Sequence, residues 1–419
     1  MKKRFRLAAW CLALSLFFLL ALSSCAAAPI VHGEDLMSDI KADVTYTNVE
    51  ISGEDAVAIA DFAVRLFQHR AEEGDNTLIS PLSVLSALAM TANGARGNTL
   101  SQMEDVFGLT ISELNPYLHA YISALPSSDK YKLSLANSIW FRDDERFTVK
   151  QDFLQANANW YNAGIYKAPF DDTTLKDINS WVSDKTDGMI EDILDEIPEE
   201  AVMYLINALA FDAEWQVVYN ESRVRDGVFT KEDGTKQNVE LMYSEEQRFL
   251  EDTDATGFIK YYADQKYAFA ALLPNEGVSV SDYIASLSGE KLHGMLSNAR
   301  MVEVNAAIPK FEMEYEVQMN EILKEMGMTD AFDPNASDLS GLGSSTRGNL
   351  FVSRVLHKTF ITVDEKGTKA GAATVVEVSE ESAPVEVEEV YLNRPFVYML
   401  IDCETNLPFF IGTAMDMGN

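Results

Sequence analysis

Apolar residues follow a helical spacing early in the chain and a strand-like spacing later. From about Asp55 they recur at steps of three and four residues, which predicts an amphipathic helix. The residues that carry this spacing are Val57, Ala60, Val64 and Phe67. The run SPLSVLSALAMTANGA predicts an apolar helix with Ser80 as its N-cap and Pro81 in its first turn, where a missing N–H does no harm.

Later segments alternate between runs rich in β-branched and aromatic residues and short helical runs. Strands are predicted for YKLSLANSIWF, AVMYLINALAFDAEW, YAFAALLP, MVEVNAAIPKFEMEYE and residues 351–363 and 395–412, and helices for DINSWVSDKT and MNEILKEMG. Helices come mostly first and strands mostly later, which favours an α+β fold over a doubly wound parallel sheet. Because no linker or change of composition follows residue 50, we expect one large domain over residues 51–419.

The stretch DEKGTKAGAATVVEVSEESAPVEVEE, residues 364–389, is poor in bulky side chains. Its composition is typical of a linker, but its residues alternate like those of a strand. One face is small or β-branched and uncharged, and consists of Thr368, Ala370, Ala372, Thr374, Val376 and Val378. All the charge from Thr368 through Ser379 lies on the other face. The stretch is therefore predicted to be a strand whose uncharged face fits a narrow buried position.

Charge and motifs exclude several classes of function. The chain has 66 acidic and 33 basic residues, and a net charge of −33 argues against nucleic acid as a partner, since phosphate binding needs clustered Lys and Arg. The sequence lacks the motifs GxSxG, HExxH, GxxxxGK[ST], GxGxxG and CxxC. We therefore predict that the protein is not an enzyme and that it has no cofactor or metal site. His357, polar within an apolar run, is predicted to be a buried, hydrogen-bonded structural histidine.

The N-terminus has the pattern of an export signal, with a basic start, an apolar run and small residues at its end. The tetrapeptide LSSC, ending at Cys25, resembles a bacterial lipobox. This resemblance implies a lipoprotein signal over residues 1–24, lipid on Cys25 and a tether over residues 25–50. The alternative is an ordinary signal peptide that happens to contain a cysteine. With Cys11 removed in the signal and Cys25 carrying lipid, only Cys403 would remain in the body, so no intrachain disulfide is expected.

Seven segments resemble, in the same order, the motifs of the serpins, the serine-protease-inhibitor family. They are NTLISPLSVLSALAMTANGARGNTLSQM (76–103), INSWVSDKTDGMIEDIL (178–194), LINALAFDAEW (205–215), IPKF (308–311), GMTDAFDPNASDLSG (327–341), VSRVLHKTFITVDEKGTKAGAAT (352–374) and LNRPFVYML with FFIG (392–412). The resemblance runs from about residue 51 to the end. It departs from the family at Val224, where a threonine is usual, and in lacking a proline after the FIG strand.

The resemblance implies a mixed α/β fold with a large central sheet, smaller sheets, about eight to nine helices and an exposed reactive-centre loop over about residues 364–391. Serpins are suicide substrates. A protease cuts the loop and forms an acyl-enzyme, and the loop then enters the central sheet as an extra strand, which traps the covalent complex. The expected partner is therefore a serine protease, and the expected state is a monomer.

The resemblance also assigns three groups of site residues. The hinge of the loop comprises Glu365, Gly367, Thr368, Ala370, Gly371, Ala372, Ala373 and Thr374. The shutter, where polar groups beneath the central strands hold the sheet closed, comprises Ser80, Ser83, Asn207 and His357. The breach, where the loop first enters the sheet, comprises Trp215, Lys310 and Glu365, with an ion pair between the last two. Because charged or bulky hinge residues are usual in serpins that do not inhibit, the small hinge residues here predict inhibition.

Two counts place the scissile bond differently, and the count from the hinge is preferred because the insertion length sets how far the protease is carried. Counting fourteen residues from Gly367 gives Glu381, followed by Ser382, whereas counting back from LNRPF ends near Pro384. Glu381 suits a glutamyl-specific serine protease. Elastase-like proteases are the competing target and would use Val378 or Ala383.

Signal, lipobox and fold together predict an inhibitor anchored by lipid to the outer face of a bacterial cell membrane or outer membrane, with an extracellular domain. The alternative is a surface binding lipoprotein that uses the serpin fold without inhibition.

Overall fold

The computed structural model describes residues 31–43, 53–71, 75–125, 131–346, 348–368 and 387–418. Within these ranges the chain forms nine α-helices and two short 3₁₀ turns. The helices are α1 (Gly53–Gln68), α2 (Pro81–Ala92), α3 (Gly97–Phe107), α4 (Ile111–Ser123), α5 (Gln151–Trp160), α6 (Asp172–Lys185), α7 (Val280–Ala285), α8 (Gly289–Ser297) and α9 (Asn320–Glu325). The 3₁₀ turns are Glu221–Arg223 and Asp330–Phe332. None of the helices in these ranges is both long and apolar enough to cross a bilayer.

Helix α2 begins as its sequence predicts. The Ser80 side chain accepts a hydrogen bond from the backbone N–H of Ser83, and Pro81 occupies the first position of the helix. All twelve residues of the helix are buried. An all-round apolar helix is stable only inside a core, and α2 accordingly contacts strands of both large sheets.

A seven-stranded sheet carries the features that matter most for function. Its strands, in spatial order, are β1 (Glu34–Asp35), β5 (Gly164–Ala168), β3 (Tyr131–Arg142), β6 (Met203–Glu214), β15 (Gly367–Thr368), β14 (Arg354–Val363) and β12 (Phe311–Gln318), and β6 also pairs directly with β14. Most of its pairings are antiparallel, but β3–β5 and β6–β14 are parallel. The sheet is therefore mixed, as expected for an α+β fold.

A nine-stranded sheet and a two-stranded ribbon complete the β-structure of the described residues. The larger sheet has the order β16 (Val387–Tyr391), β11 (Arg300–Pro309), β8 (Lys236–Glu251), β9 (Ala255–Tyr261), β10 (Tyr267–Pro274), β17 (Phe396–Asp402), β18 (Leu407–Ala414) and β2 (Thr77–Ile79), with β7 (Val224–Thr230) paired to β8. The ribbon joins β4 (Phe147–Val149) to β13 (Gly343–Ser345). The predicted range 395–412 is thus two strands joined by a turn.

Two clusters of apolar side chains pack the helices against the sheets. The larger one includes buried side chains of α1, α2 and both large sheets. The smaller one lies between α6 and the seven-stranded sheet, where Trp140 stacks on Tyr166 and Trp181 meets Tyr166 edge-on. The α+β fold class predicted from the sequence is confirmed.

Two segments predicted as a tether and as an exposed loop contain described residues that belong to the sheets. Residues 31–43, which fall within the predicted tether, lie against the edge of the seven-stranded sheet through β1 and β5. The two ends of the predicted loop range, 364–391, belong to different sheets, since β15 lies in the seven-stranded sheet and β16 pairs in parallel with β11 in the nine-stranded sheet.

Candidate functional site

The seven-stranded sheet is closed at one end and open at the other between β6 and β14. The two strands pair directly over residues 204–209 and 354–359. Beyond this stretch β15 lies between them, and Thr368 is the register partner of both Val363 on β14 and Ala213 on β6. Gly367 and Thr368 therefore occupy the first positions of a strand between β6 and β14, and they are the last residues that the structure describes before residue 387. We call this end of the sheet the loop-entry end.

A tight turn brings β15 back into the sheet after β14. The Asp364 backbone N–H donates to the Gly367 carbonyl, and the Asp364 side chain accepts hydrogen bonds from the N–H groups of Lys366 and Gly367 at 2.7 and 3.1 Å. A Cβ atom on Gly367 would lie 2.0 Å from the Ala213 carbonyl oxygen. Glycine is required here because the β6 backbone leaves no room for a side chain.

A pair of stacked aromatic side chains, Trp215 and Tyr262, holds the turn and β15 through hydrogen bonds. The two rings stack with their centroids 4.5 Å apart. The Trp215 ring N–H donates to the Asp364 carbonyl at 2.8 Å, and the Tyr262 hydroxyl is 2.7 Å from the hydroxyl oxygen of Thr368. Tyr262 and Thr368 are buried. Asp364, Gly367 and Thr368 are thus fixed by hydrogen bonds or by close backbone packing.

The Lys310–Glu365 ion pair expected from the sequence is present, with 3.0 Å between Nζ and Oε2. Lys310 also lies 3.2 Å from Oε2 of Glu240, so one cation bridges the turn and β8. Partial burial disfavours the charge on Lys310, but its hydrogen bonds to Glu365 and Glu240 outweigh this and raise its pKa. A hydrogen bond from its own backbone N–H and the contact with Lys310 lower the pKa of Glu365.

A second lysine beneath the loop-entry end was missed by sequence reasoning. Lys260 is only 2% exposed, and its Nζ lies 2.9 Å from Oε1 of Glu246. The ammonium group also sits over the rings of Tyr219, at 4.4 Å, and Trp215, at 5.4 Å. Burial opposes its charge, but Glu246 outweighs this effect and raises the pKa of Lys260. A lone lysine within the apolar strand run GFIKY was the available signal.

The four predicted shutter residues lie together in the closed part of the sheet. His357 and Asn207 are register partners on β14 and β6. The Ser80 backbone N–H donates to His357 Nε2 at 3.0 Å, so Nδ1 carries the proton and donates to Asn207 Oδ1 at 2.6 Å. Complete burial lowers the pKa of His357 to about 3. The ring is therefore neutral and locked between a helix N-terminus and the neighbouring strand.

Asn137 extends this row to a third strand. Its Oδ1 accepts a 2.6 Å hydrogen bond from the Asn207 amide, and the two residues are register partners on β3 and β6. Asn137 was not singled out from the sequence. Ser83 supplies its backbone N–H to Ser80, whereas the Ser83 hydroxyl oxygen is buried without a hydrogen-bond partner among the described residues.

These polar groups connect elements and do not form a reaction centre. Both ring nitrogens of His357 are engaged in hydrogen bonds with groups that cannot act as nucleophiles. No cluster of three His, Cys, Asp or Glu side chains suited to a metal occurs in the part of the chain that the structure describes. The arrangement can hold two strands together or release them, which is a mechanical role.

Several predicted site residues lie outside the described residues. They are Cys25, the hinge residues Ala370, Gly371, Ala372, Ala373 and Thr374, and the scissile-bond candidates Glu381, Ser382, Val378, Ala383 and Pro384. The structure therefore describes the three hinge residues Glu365, Gly367 and Thr368, and all of the predicted breach and shutter residues.

Comparisons with known proteins agree on one family. A family model described as Serpin (serine protease inhibitor) matches residues 57–417. Human Serpin B9 is 31% identical over 377 residues, covering 85% of this chain and 97% of that protein. Human Antithrombin-III is 29% identical over 369 residues, covering 84% of this chain and 79% of that protein. The structure of the thermophilic serpin Tengpin in its native state has 49% identity and a TM-score of 0.87, and covers 92% of this chain and 99% of its own. The latent state of Tengpin, with the same 49% identity, gives a TM-score of 0.79.

Proposed function

The chain belongs to the serpin family of protease inhibitors, and from the half-open sheet we propose that it is an inhibitory member that traps a serine protease by inserting its cleaved loop between β6 and β14. The observation that carries this proposal is Thr368, which already lies between Val363 and Ala213 as the first part of an additional strand. The opening continues beyond it only as far as residue 359 on β14, where direct pairing with β6 begins.

The register of β15 supports insertion in a specific alignment. A strand that continues β15 antiparallel to both neighbours would bring Thr374 level with His357 and Asn207, six residues along each strand from the observed partners of Thr368. These two side chains are themselves register partners and share a hydrogen bond. Insertion would therefore have to break the His357–Asn207 contact, and Thr374 would bring a small hydroxyl to the same place.

The face expected to be buried agrees with the position of Thr368. Its side chain is 1% exposed and contacts Tyr262. Because strand residues alternate between faces, residues of the same parity would follow it into the sheet, and these are the uncharged members of the stretch. A charge on that face would be costly to remove from water, whereas a charge on the other face would stay accessible.

Glu381–Ser382 is the scissile bond that we propose, because the count from Gly367 measures the length of strand available for insertion. A carboxylate before the bond suits a glutamyl-specific serine protease, with elastase-like proteases acting at Val378 or Ala383 as the competing target. We place the inhibitor outside a bacterial cell, attached to a membrane through lipid on Cys25, on the basis of the signal and the LSSC tetrapeptide.

The direct test is incubation with glutamyl endopeptidase and with elastases, followed by electrophoresis in SDS. We expect a complex that survives SDS, and a released C-terminal fragment that begins at Ser382 by mass spectrometry. Cleavage of the loop without a complex, for every protease tried, would refute inhibition and favour a binding protein that uses the same fold.

A matched pair of variants tests the insertion step itself. Thr374→Glu places a charge on the face that is expected to be buried, and Val375→Glu places the same charge on the opposite face. We expect Thr374→Glu to be cleaved as a plain substrate and Val375→Glu to keep forming the complex, because only the first charge is desolvated on insertion. Equal complex formation by the two variants would contradict the proposed register.

Loop cleavage in the absence of a complex gives an independent readout. Insertion adds hydrogen-bonded strand residues to the sheet, so cleavage within the loop should raise the thermal midpoint strongly. A protein that uses the fold only for binding should keep its midpoint after cleavage.

A further inference from the structure

Two aromatic residues that follow β6 hold the turn at the loop-entry end through hydrogen bonds. The Trp215 backbone N–H donates to the Lys366 carbonyl at 2.8 Å, and the Tyr219 backbone N–H donates to the Glu365 carbonyl at 2.9 Å. With the bond from the Trp215 ring N–H to the Asp364 carbonyl, three successive carbonyls of the turn are satisfied. The position of the turn therefore depends on where Trp215 and Tyr219 lie.

The rings of the same two residues flank the ammonium group of Lys260. Its Nζ lies 4.4 Å from the ring centroid of Tyr219 and 5.4 Å from that of Trp215. It also lies 3.4 Å from the Val217 carbonyl oxygen, so it contacts every second residue of the segment 215–219. A cation over a ring face is attracted to it, and more strongly where water is excluded. Lys260 therefore holds both rings at once.

Glu246 supplies the opposite charge. Its Oε1 lies 2.9 Å from Lys260 Nζ, and its side chain is 12% exposed. A buried ion pair costs about as much to remove from water as it returns, so apolar side chains of similar size would serve stability equally well. The pair is better explained by a charge that is needed at this place. We call Lys260, Glu246, Trp215 and Tyr219 the Lys260 cluster.

Lys310 also binds the turn, but from the side of the solvent. The side chains of Lys310 and Glu365 are 25% and 38% exposed, and exposed pairs are weakened by water and salt. The Lys260 cluster is shielded from both, because Lys260, Trp215 and Tyr219 are buried. We therefore expect the position of the turn to depend more on the Lys260 cluster than on Lys310.

The turn sets the place where insertion starts. Thr368 follows it directly and is paired with both Val363 and Ala213. The next loop residue can join the two strands in register only when Thr368 already lies between them. Trapping requires insertion to outrun hydrolysis of the acyl bond. A displaced turn would therefore favour release of cleaved inhibitor over a trapped protease.

We propose that Lys260 is a positioning residue for loop insertion. Its ammonium group fixes the rings of Trp215 and Tyr219, these two residues fix the turn, and the turn keeps Thr368 where the new strand lengthens. This inference rests on the proposed function, since it concerns the fraction of cleavage events that end in a trapped protease. It requires no contact between Lys260 and the protease.

The principal test replaces both members of the buried pair, as Lys260→Met together with Glu246→Leu. This double variant removes the charge and keeps side chains of similar size, so its thermal midpoint should stay close to that of wild type. A protease that forms the SDS-stable complex with wild type is titrated with each protein, and the rate of loop cleavage is measured in parallel. We expect the stoichiometry of inhibition to rise several-fold at an unchanged rate of cleavage, because cleavage precedes insertion.

Lys291 offers a matched control. It pairs with Asp252 at 3.0 Å and lies over the ring of Tyr283 at 5.3 Å, so it also combines an ion pair with a ring contact. Asp252 lies in the turn between β8 and β9, at the opposite end of β9 from Lys260. Lys291→Met should therefore keep the wild-type stoichiometry of inhibition.

Tyr219→Leu tests the same step with the ion pair left in place. It removes one ring from the Lys260 cluster but keeps the backbone N–H that binds Glu365. We expect this variant to raise the stoichiometry of inhibition in the same direction. It also covers the case in which the double variant does not fold.

The outcomes separate this inference from the proposed function. A wild-type stoichiometry in the folded double variant, or in Tyr219→Leu if the double variant does not fold, overturns the positioning role alone. An equal rise in Lys291→Met would also overturn it, because the loss of an unrelated lysine would then have the same effect. Absence of a complex from the wild-type protein with every protease overturns the proposed function and this inference together.

Discussion

Acidification should weaken the closed sheet through His357. The ring is completely buried, and burial lowers its pKa from 6.5 to about 3. Unfolding restores the ordinary pKa, so below pH 6.5 the unfolded chain binds a proton that the folded chain does not. Because the pKa of His357 is depressed in the folded state, its contribution to the free energy of unfolding is fully present above pH 6.5. This contribution is lost progressively as the pH falls towards 3.

The two pKa values set the size of this effect. At pH 5 the His357 contribution should cost the folded state about 2 kcal/mol relative to pH 8, whereas at pH 6.5 the cost is only about 0.4 kcal/mol. The groups bonded to the ring are the Ser80 backbone N–H and the Asn207 amide oxygen, and neither can supply a negative charge to stabilise an imidazolium. The proton can therefore be accepted only when the strands around it separate.

The assay compares apparent thermal midpoints at one scan rate between pH 5 and pH 8, since the scan rate affects the midpoint of an irreversible transition. His357→Gln keeps a polar side chain but cannot titrate. We expect this variant to be less stable than wild type at pH 8 and to approach it at pH 5. His119→Gln, which changes a partly exposed histidine on α4, should follow the wild-type pH profile.

A gap between wild type and His357→Gln that stays constant from pH 8 to pH 5 would refute the reasoning. It would show that the ring is protonated without cost in the folded state, or that the sheet around it is open to water.

Three further predictions concern the loop-entry end and the single body cysteine. Gly367→Ala should lower the thermal midpoint, with a cost of about 1–3 kcal/mol, because the added methyl group overlaps the Ala213 carbonyl; an unchanged midpoint would contradict the close approach. Lys260→Met should cost about 3–5 kcal/mol in urea unfolding because Glu246 is left buried without its cation, and adding Glu246→Leu should recover most of the loss; no recovery would count against the ion pair. Partial burial and the neighbouring carboxylates of Asp402 and Asp264 raise the pKa of Cys403 to about 12, so its thiol should react with maleimide at pH 8 about 10³-fold more slowly than a free cysteine, and equal rates would contradict the raised pKa.

Sequence patterns predicted the parts of the fold that depend on local chemistry. The cap formed by Ser80, the apolar helix α2 and the α+β class follow from hydroxyl placement and from the spacing of apolar residues. The same patterns could not place Asn137 beside Asn207, because that contact depends on the register between β3 and β6. Strand register is a long-range property, and a single asparagine in an apolar run does not report it.

Residues 31–43 and the Lys260 cluster show the same limit. Residues 31–43 have few apolar residues and no clear period, so their composition suggests a free tether. Their position depends on one buried acceptor, Asp177, and on the free edge of β5, which only the folded body provides. Lys260 likewise stands out in its strand, but the position of Glu246 follows from the pairing of β8 with β9.

The hydrogen-bonding pattern of the half-open sheet indicates where an inserting loop would gain free energy. In the closed part, β6 and β14 share one parallel ladder. At the loop-entry end, Gly367 and Thr368 form antiparallel pairings with β6, and Thr368 also forms one with β14. Each further loop residue that entered in this way would replace one parallel pairing between β6 and β14 by two antiparallel pairings, one with each strand. Antiparallel pairings are slightly more stable per residue. The free energy available for trapping a protease would then reside in hydrogen bonds not yet formed, and no strain in the loop itself is needed to drive insertion.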